Sequence, residues 1–260
     1  MKRLLIRALV CAIVCYSSVP TNAQKLYPGI VGEDDRRVVD SAGEPWEAVG
    51  QINVPGHRTV RRCTGTLIAP NLVLTAAHCV MDRWKKKPYP AKNIHFLAGV
   101  RGSEHKAHMK AKCLRFREDY IVLPRGGRQS TAADRQLRKR ALMTDVAVVV
   151  LQRAIYVRPA PLAVGIRGAP GLRLVHAAYA QDRRYMLSAH FDCQVKRISH
   201  GGRVWLTDCD THFASSGGPV FERKAGRMQL AAVMIGASVG HSVALPISRW
   251  IDLTKSPVCD

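Results

Sequence analysis

A succession of short apolar runs, each closed by turn-forming residues, limits this chain to one fold class. Runs at 48–54, 63–68, 72–75, 94–100 and 146–151 are rich in Val, Ile, Leu and Thr. They are too short for amphipathic helices and are spaced like strands. After a Pro/Gly-rich crossing (Pro159, Pro161, Gly165, Gly168, Pro170, Gly171) a second set follows at 172–178, 190–198, 204–208, 219–222, 229–235 and 242–246. Strands that succeed one another without helical periods build antiparallel sandwiches or barrels rather than βαβ units. The crossing divides them into two sequential β-units, about 45–152 and about 165–247. Ile247, Trp250, Ile251 and Leu253 suit a helical period, so a short amphipathic C-terminal helix is predicted at 247–255. With 47% hydrophobic and 23% charged residues in 260, the chain can fill a core, which excludes global disorder.

The first residues are a separate object. Met1, Lys2, Arg3 and Arg7 precede an apolar run at 8–14, and a small-residue stretch ends at Ala23. That order reads as a secretory signal over 1–23, with the mature chain at 24–260. The apolar run is shorter than the roughly 20 residues a span requires, so no transmembrane segment is expected in the mature chain. The predicted compartment is secreted or periplasmic. From Lys25 to Asp40 the chain is polar, with Pro28, Gly29 and Gly32 as breakers, suiting an extended leader across the domain surface.

Beyond the signal, which takes Cys11 and Cys15 with it, remain Cys63, Cys79, Cys113, Cys193, Cys209 and Cys259. An even set in an exported chain predicts a disulfide framework. Cys63 with Cys79 and Cys193 with Cys209 are local pairs, each closing a loop of about 15 residues and contributing ~3 kcal/mol through chain entropy. Cys113 with Cys259 follows only by elimination. His105 and His108 with Cys113 lack paired metal-ligand spacing, so no metal and no organic cofactor are expected.

The formal charge is +21, and only Lys2, Arg3 and Arg7 of the basic residues lie in the signal. Much of the excess falls between Arg101 and Arg140. Such a charge permits non-specific attraction to anionic surfaces. No basic run is interleaved with aromatic residues, which argues against specific nucleic-acid recognition. The segment from Arg115 to Met143 is expected to be an elaborated, solvated surface loop.

Three motifs carry chemistry. Thr75-Ala76-Ala77-His78-Cys79 supplies an imidazole, Asp145 opens the apolar run Val146 to Leu151, and Ser215-Ser216-Gly217-Gly218-Pro219 supplies a hydroxyl. A serine is a poor nucleophile without an adjacent base, and the base needs a carboxylate to hold its tautomer. The expected roles are His78 as general base and acid, Asp145 as its orienting partner and Ser216 as nucleophile. Ser215 competes for the last role, but Gly-Gly-Pro after Ser216 sets the register.

Together these motifs resemble the trypsin-like serine peptidases. Gly32-Glu33-Asp34-Asp35-Arg36-Arg37-Val38, Pro45-Trp46 and Gly50-Gln51-Ile52 are similar to the glutamyl endopeptidase (V8-like) branch of that family. The resemblance runs from about Val31 to Ile251. It implies an all-β fold of two packed antiparallel six-stranded Greek-key barrels with the triad in the cleft between them. It implies a Cys63–Cys79 bridge, matching the local pairing above. It also implies serine endopeptidase activity on a protein or peptide substrate through an acyl-enzyme.

Two departures matter. Ala214 stands where most members have glycine, and the resemblance places the oxyanion hole at the N–H groups of Ala214 and Ser216. A Cβ there strains the backbone that the hole requires, and loss of one donor costs about 10²–10³ in rate. Ser215 replaces the aspartate that receives a new N-terminus in animal enzymes, so Ile30-Val31-Gly32 is predicted not to operate a trypsinogen-type switch. The substrate pocket is expected at Asp210, Thr211, Ile235 and Gly236. Asp210 facing inward favours cleavage after Lys or Arg; Thr211 resembles a V8-like pocket threonine. The histidine of that pocket is missing near Met234, which tilts the expectation towards basic residues. A catalytically weak or inactive homologue that binds anionic surfaces through its basic face is the alternative function.

Overall fold

The structure, a computed structural model, describes residues 29–56, 59–122, 131–256 and 259. The predicted signal over 1–23, with Cys11 and Cys15, lies outside the described residues.

Six strands close the first barrel: β1 (Val49–Pro55), β2 (Val60–Ala69), β3 (Leu72–Thr75), β4 (His95–Ala98), β5 (Ala107–Phe116) and β6 (Ala147–Leu151). Their order around the barrel is β1-β2-β3-β6-β5-β4, all antiparallel. Six more make the second: β7 (Arg173–Ala178), β8 (Ser188–Ser199), β9 (Val204–Thr207), β10 (Pro219–Lys224), β11 (Arg227–Ser238) and β12 (His241–Pro246). These run β7-β8-β9-β12-β11-β10, and pairing of β7 with β10 completes the ring. The two barrels therefore share one Greek-key strand order although no repeat is visible in the sequence. Closure leaves each sheet without the open edges at which strands aggregate.

Hydrophobic patterning explains the packing. β6 is apolar throughout and wholly buried, as expected of a strand covered on both faces. β5 alternates Ala107, Met109 and Ala111 with His108, Lys110 and Lys112, placing its charges on the outer face. Trp46 stands edge-on to Phe191 and Phe221, with ring centroids 6.0 Å apart in both pairs. Those contacts join the start of the first barrel to the second. Bridges link Cys63–Cys79, Cys193–Cys209 and Cys113–Cys259, and the last ties β5 to the C-terminus.

Two elements depart from the sequence reading. The basic segment after Arg115 contains a helix, Ala132–Leu142, rather than loop alone. Its N-terminus is a capping box: the Thr131 side chain accepts from the Asp134 N–H, and Asp134 accepts from the Thr131 N–H. That box satisfies two of the helix's otherwise unpaired N–H groups. The C-terminal helix is a pair of 3₁₀ turns, Ile247–Arg249 and Ile251–Thr254, separated at Trp250. Trp250 and Leu253 still bury their side chains, so the predicted apolar face survives in a tighter winding.

The polar leader is a docked segment. Arg36–Val38 adds an antiparallel strand to β8. Arg36 is itself buried between two carboxylates, with Nε 2.8 Å from Asp34 and Nη2 2.6 Å from Asp182. Arg36's hydrogen bond leads the causes that hold the Asp34 carboxyl below its usual range, against the opposing cost of burial.

Candidate active site

A cleft of about 570 Å³ lies between the barrels, and His78, Asp145, Ala214 and Ser216 all line it. His78 sits on a single helical turn, Ala77–Val80, immediately after β3. The bridge from its neighbour Cys79 to Cys63 on β2 fixes that turn. Asp145 precedes β6, which pairs with β3, so one strand pair delivers both side chains. The carboxylate holds the histidine at two points. Oδ1 accepts the His78 backbone N–H at 2.8 Å, and Oδ2 lies 2.7 Å from Nδ1. In the tautomer protonated at Nδ1, that N–H donates to Asp145 and Nε2 is the acceptor.

Ser216 comes from the loop before β10 in the other barrel. Ser215 is turned inward: its N–H donates to His212 O, and its Oγ accepts the His212 N–H, both at 3.1 Å. Only Ser216 of the two lines the cleft. No hydrogen bond joins its hydroxyl to the imidazole in this structure, a gap common before substrate closes such sites. Gly217 has φ +85°, and a Cβ there would collide with the Thr64 carbonyl and the Thr75 hydroxyl. The glycine thus lets the serine loop press against the first barrel.

Ala214 adopts φ +70°, the left-handed backbone that glycine occupies without strain. The N–H groups of Ala214 and Ser216 have no hydrogen-bond partner among the described residues. Two unpaired donors beside a serine are what an oxyanion hole consists of. Ala214 holds this backbone with its Cβ in place.

Thr64 was not singled out from the sequence, and it connects the barrels at this point. Its N–H donates to Ser216 O at 2.9 Å, and its Oγ1 donates to Ala214 O at 3.0 Å. The same hydroxyl accepts the Tyr179 N–H at 3.1 Å. Burial raises the Tyr179 phenol's pKa, and its hydroxyl donates to Val100 O. Burial, reinforced by the Asp145 charge, does the same for Tyr120.

Of the expected pocket residues, Thr211, Ile235 and Gly236 line the cleft. Asp210 does not. It is fully buried, and its two oxygens accept the N–H groups of Val31 and Asp35, each at 2.8 Å. The leader has taken the carboxylate that an inward Asp210 would have offered to a lysine or arginine. His190 Nδ1 lies 3.1 Å from Asp210 Oδ2 and 2.9 Å from the Asp210 backbone nitrogen. That nitrogen has a partner in either protonation state. Burial opposes its charge, but the bond to Asp210 and the charge of Asp210 outweigh burial, so the His190 pKa is raised.

Two groups of three ligand-type residues occur among the described residues: Cys63, His78 and Cys79, and Asp35, His190 and Asp210. In the first, the two cysteines form a disulfide and His78 Nδ1 faces Asp145; in the second, Asp210 accepts N–H groups of the leader and contacts His190.

The sequence profile of the trypsin-like peptidase domain matches residues 63–229. The chain belongs to this family. Among curated proteins it is similar to human serine protease 23, at 27% identity over 222 residues, 79% of this chain and 54% of that protein. A shorter match, 34% over 64 residues, joins it to glutamyl endopeptidase of Bacillus licheniformis, covering 24% of this chain and 19% of that one. The chain spans about half the length of serine protease 23. Among solved structures, a Glu endopeptidase in complex with MPD superposes with TM-score 0.68 at 16% identity, covering 87% of this chain and 97% of that chain. An inactivated protease paralogue of the scabies mite, S-I1, superposes with TM-score 0.58 at 14% identity, covering 80% and 92%. These likenesses establish the two-barrel trypsin-like fold. An inactivated paralogue on the same fold means that activity in this family has to be argued from the site.

Proposed function

We propose that this chain is an exported serine endopeptidase acting through a His78–Asp145–Ser216 triad. The observation that carries the reading is the two-point hold of Asp145 on His78 in the cleft that Ser216 also lines. In the first step the Ser216 hydroxyl attacks the scissile carbonyl while His78 Nε2 takes its proton. The oxyanion forms against the N–H groups of Ala214 and Ser216. His78 then returns the proton to the departing amine, leaving an acyl-Ser216 ester. Water, deprotonated by the same imidazole, attacks that ester and frees the acid. Asp145 keeps Nδ1–H in place and stabilises the transient imidazolium throughout.

The three disulfides support an oxidising compartment. No helix among the described residues is long and apolar enough to cross a membrane. Peptide substrate adds along Ile235, Gly236 and Ala237 as an extra strand. With Asp210 turned to the leader, no uncommitted carboxylate among the described lining residues favours Lys or Arg at the cleaved residue.

An active-site-directed fluorophosphonate tests the reading. Labelling of wild type that disappears in Ser216→Ala supports it. A folded wild type that takes no label rejects it in favour of an inactive homologue that binds through its basic face.

A further inference from the structure

The cleft is positively charged on one wall. Arg61, Arg62, Arg83 and Arg184 line it, and the one carboxylate among the lining residues, Asp145, is committed to His78. Arg61, Arg62 and Arg83 make no ion pair with any described residue. The Arg184 guanidinium lies over the Tyr185 ring, 5.7 Å from its centroid, a contact that leaves its N–H groups available. Arg61 and Arg184 are exposed, while Arg62 and Arg83 are half-buried, so part of this charge is held close to the cleft wall where screening is weaker.

These arginines are not spread evenly about the serine. Arg61 and Arg62 immediately precede Cys63 on β2, whose bridge to Cys79 fixes the His78 turn. Arg83 follows the His78 turn, and Gln51 of β1 donates to the Arg184 carbonyl at 2.5 Å, drawing that residue to the same wall. The other lining residues from the second barrel, Thr211 to Ala214 and Ile235 to Ala237, include no Lys, Arg, Asp or Glu. A substrate whose acyl half pairs with Ile235–Ala237 must send its leaving-group half past His78, which protonates the departing amine, and along the arginine wall.

We infer that the site selects peptides bearing Asp or Glu within the first residues on the leaving-group side of the scissile bond. This rests on the peptidase reading above. Carboxylates entering there find guanidinium groups that have no competing intramolecular acid, and Arg presents a planar fork suited to them. The strong net positive charge of the chain, most of it outside the predicted signal, steers the same substrates towards the cleft.

The test uses the full-length protein and internally quenched peptides identical except for Glu, Gln or Lys at each of the first three positions after the cleaved bond. Glu over Gln at one or more of these positions is expected to raise kcat/KM about tenfold at low salt, equivalent to ~1.4 kcal/mol, and to fade as salt rises. In Arg61→Gln/Arg62→Gln, and separately in Arg83→Gln, the preference contracts towards unity, whereas Arg158→Gln on the outer surface retains it. Fluorophosphonate labelling of each variant reports the triad independently of peptide charge. Labelled enzyme that cleaves Glu and Gln peptides equally, or prefers acid only on the acyl side, overturns this inference alone. Wild type that neither labels nor cleaves overturns the peptidase reading and this inference with it.

Discussion

Thr64 grips the Ser216 loop from the opposite barrel, its N–H on Ser216 O at 2.9 Å and its hydroxyl on Ala214 O at 3.0 Å. The serine's position therefore depends on a residue that takes no part in proton transfer. Thr64→Val keeps the shape and the backbone bond but leaves Ala214 O and the Tyr179 N–H without their side-chain partner. The expected cost is about 2 kcal/mol of stability, with kcat falling about tenfold and KM little changed. Thr64→Ser, which restores the hydroxyl, should recover most of kcat. Equal kinetics for the Val and Ser variants would remove Thr64 from the positioning role.

Ala214 holds φ +70°, where an L-residue carries a penalty of about 1–2 kcal/mol. Ala214→Gly relieves it, while the more flexible unfolded chain takes back about 0.5–1 kcal/mol. The net expectation is a modest gain, about 0.5–1 kcal/mol, read as a higher urea midpoint at unchanged m-value. Hydrolysis should be undiminished, because glycine adopts the same positive φ without strain. A lower midpoint would mean that the alanine methyl packs usefully.

The strand order and the site differ in how far they could be read from residues. β6 announced itself because it is apolar at every position. β5 gives a weaker signal, although its alternation of Ala107, Met109 and Ala111 with basic residues has the period of a half-exposed strand. Outer-face lysines and surface-loop lysines look alike without a partner strand. The helix Ala132–Leu142 is obscured in the same way, since Arg135, Lys139 and Arg140 face solvent and Thr131-Ala132-Ala133-Asp134 is the local sign of its start. His78, Asp145 and Ser216 stood out because motif spacing is local. Thr64 and the burial of Asp210 did not, because each depends on a partner far away in sequence: Ser216 for one, Val31 for the other.

Asp145→Asn is the sharpest test of how His78 is held. The amide oxygen can still accept the His78 backbone N–H, but its NH₂ then faces Nδ1 and selects the tautomer protonated at Nε2. That tautomer cannot take the Ser216 proton. The expected loss in kcat is about 10⁴-fold with fold and disulfides intact. A loss under tenfold would show that the Asp145 contact is structural rather than part of the proton path.

His176 gives the fold an acid-labile point. It is fully buried, its Nδ1 lies 2.9 Å from Pro219 O, and burial lowers its pKa to about 4 from 6.5. A base whose folded pKa is depressed favours unfolding when it is protonated. Its stabilising neutrality is present above pH 6.5 and is lost progressively as pH falls towards 4, a loss of ~3 kcal/mol. His190 has the opposite sign: its raised pKa contributes below 6.5 and is lost as pH rises through the raised value. Wild type alone therefore shows a mixture of the two, and the informative quantity is its difference from His176→Gln. Urea denaturation at pH 7.5, 5.5 and 4.5 should give a gap that shifts by about 3 kcal/mol in favour of the variant as pH falls. Parallel stability curves would mean that the imidazole finds a counter-charge when protonated, and the acid sensitivity would then have to come from carboxylates such as Asp34.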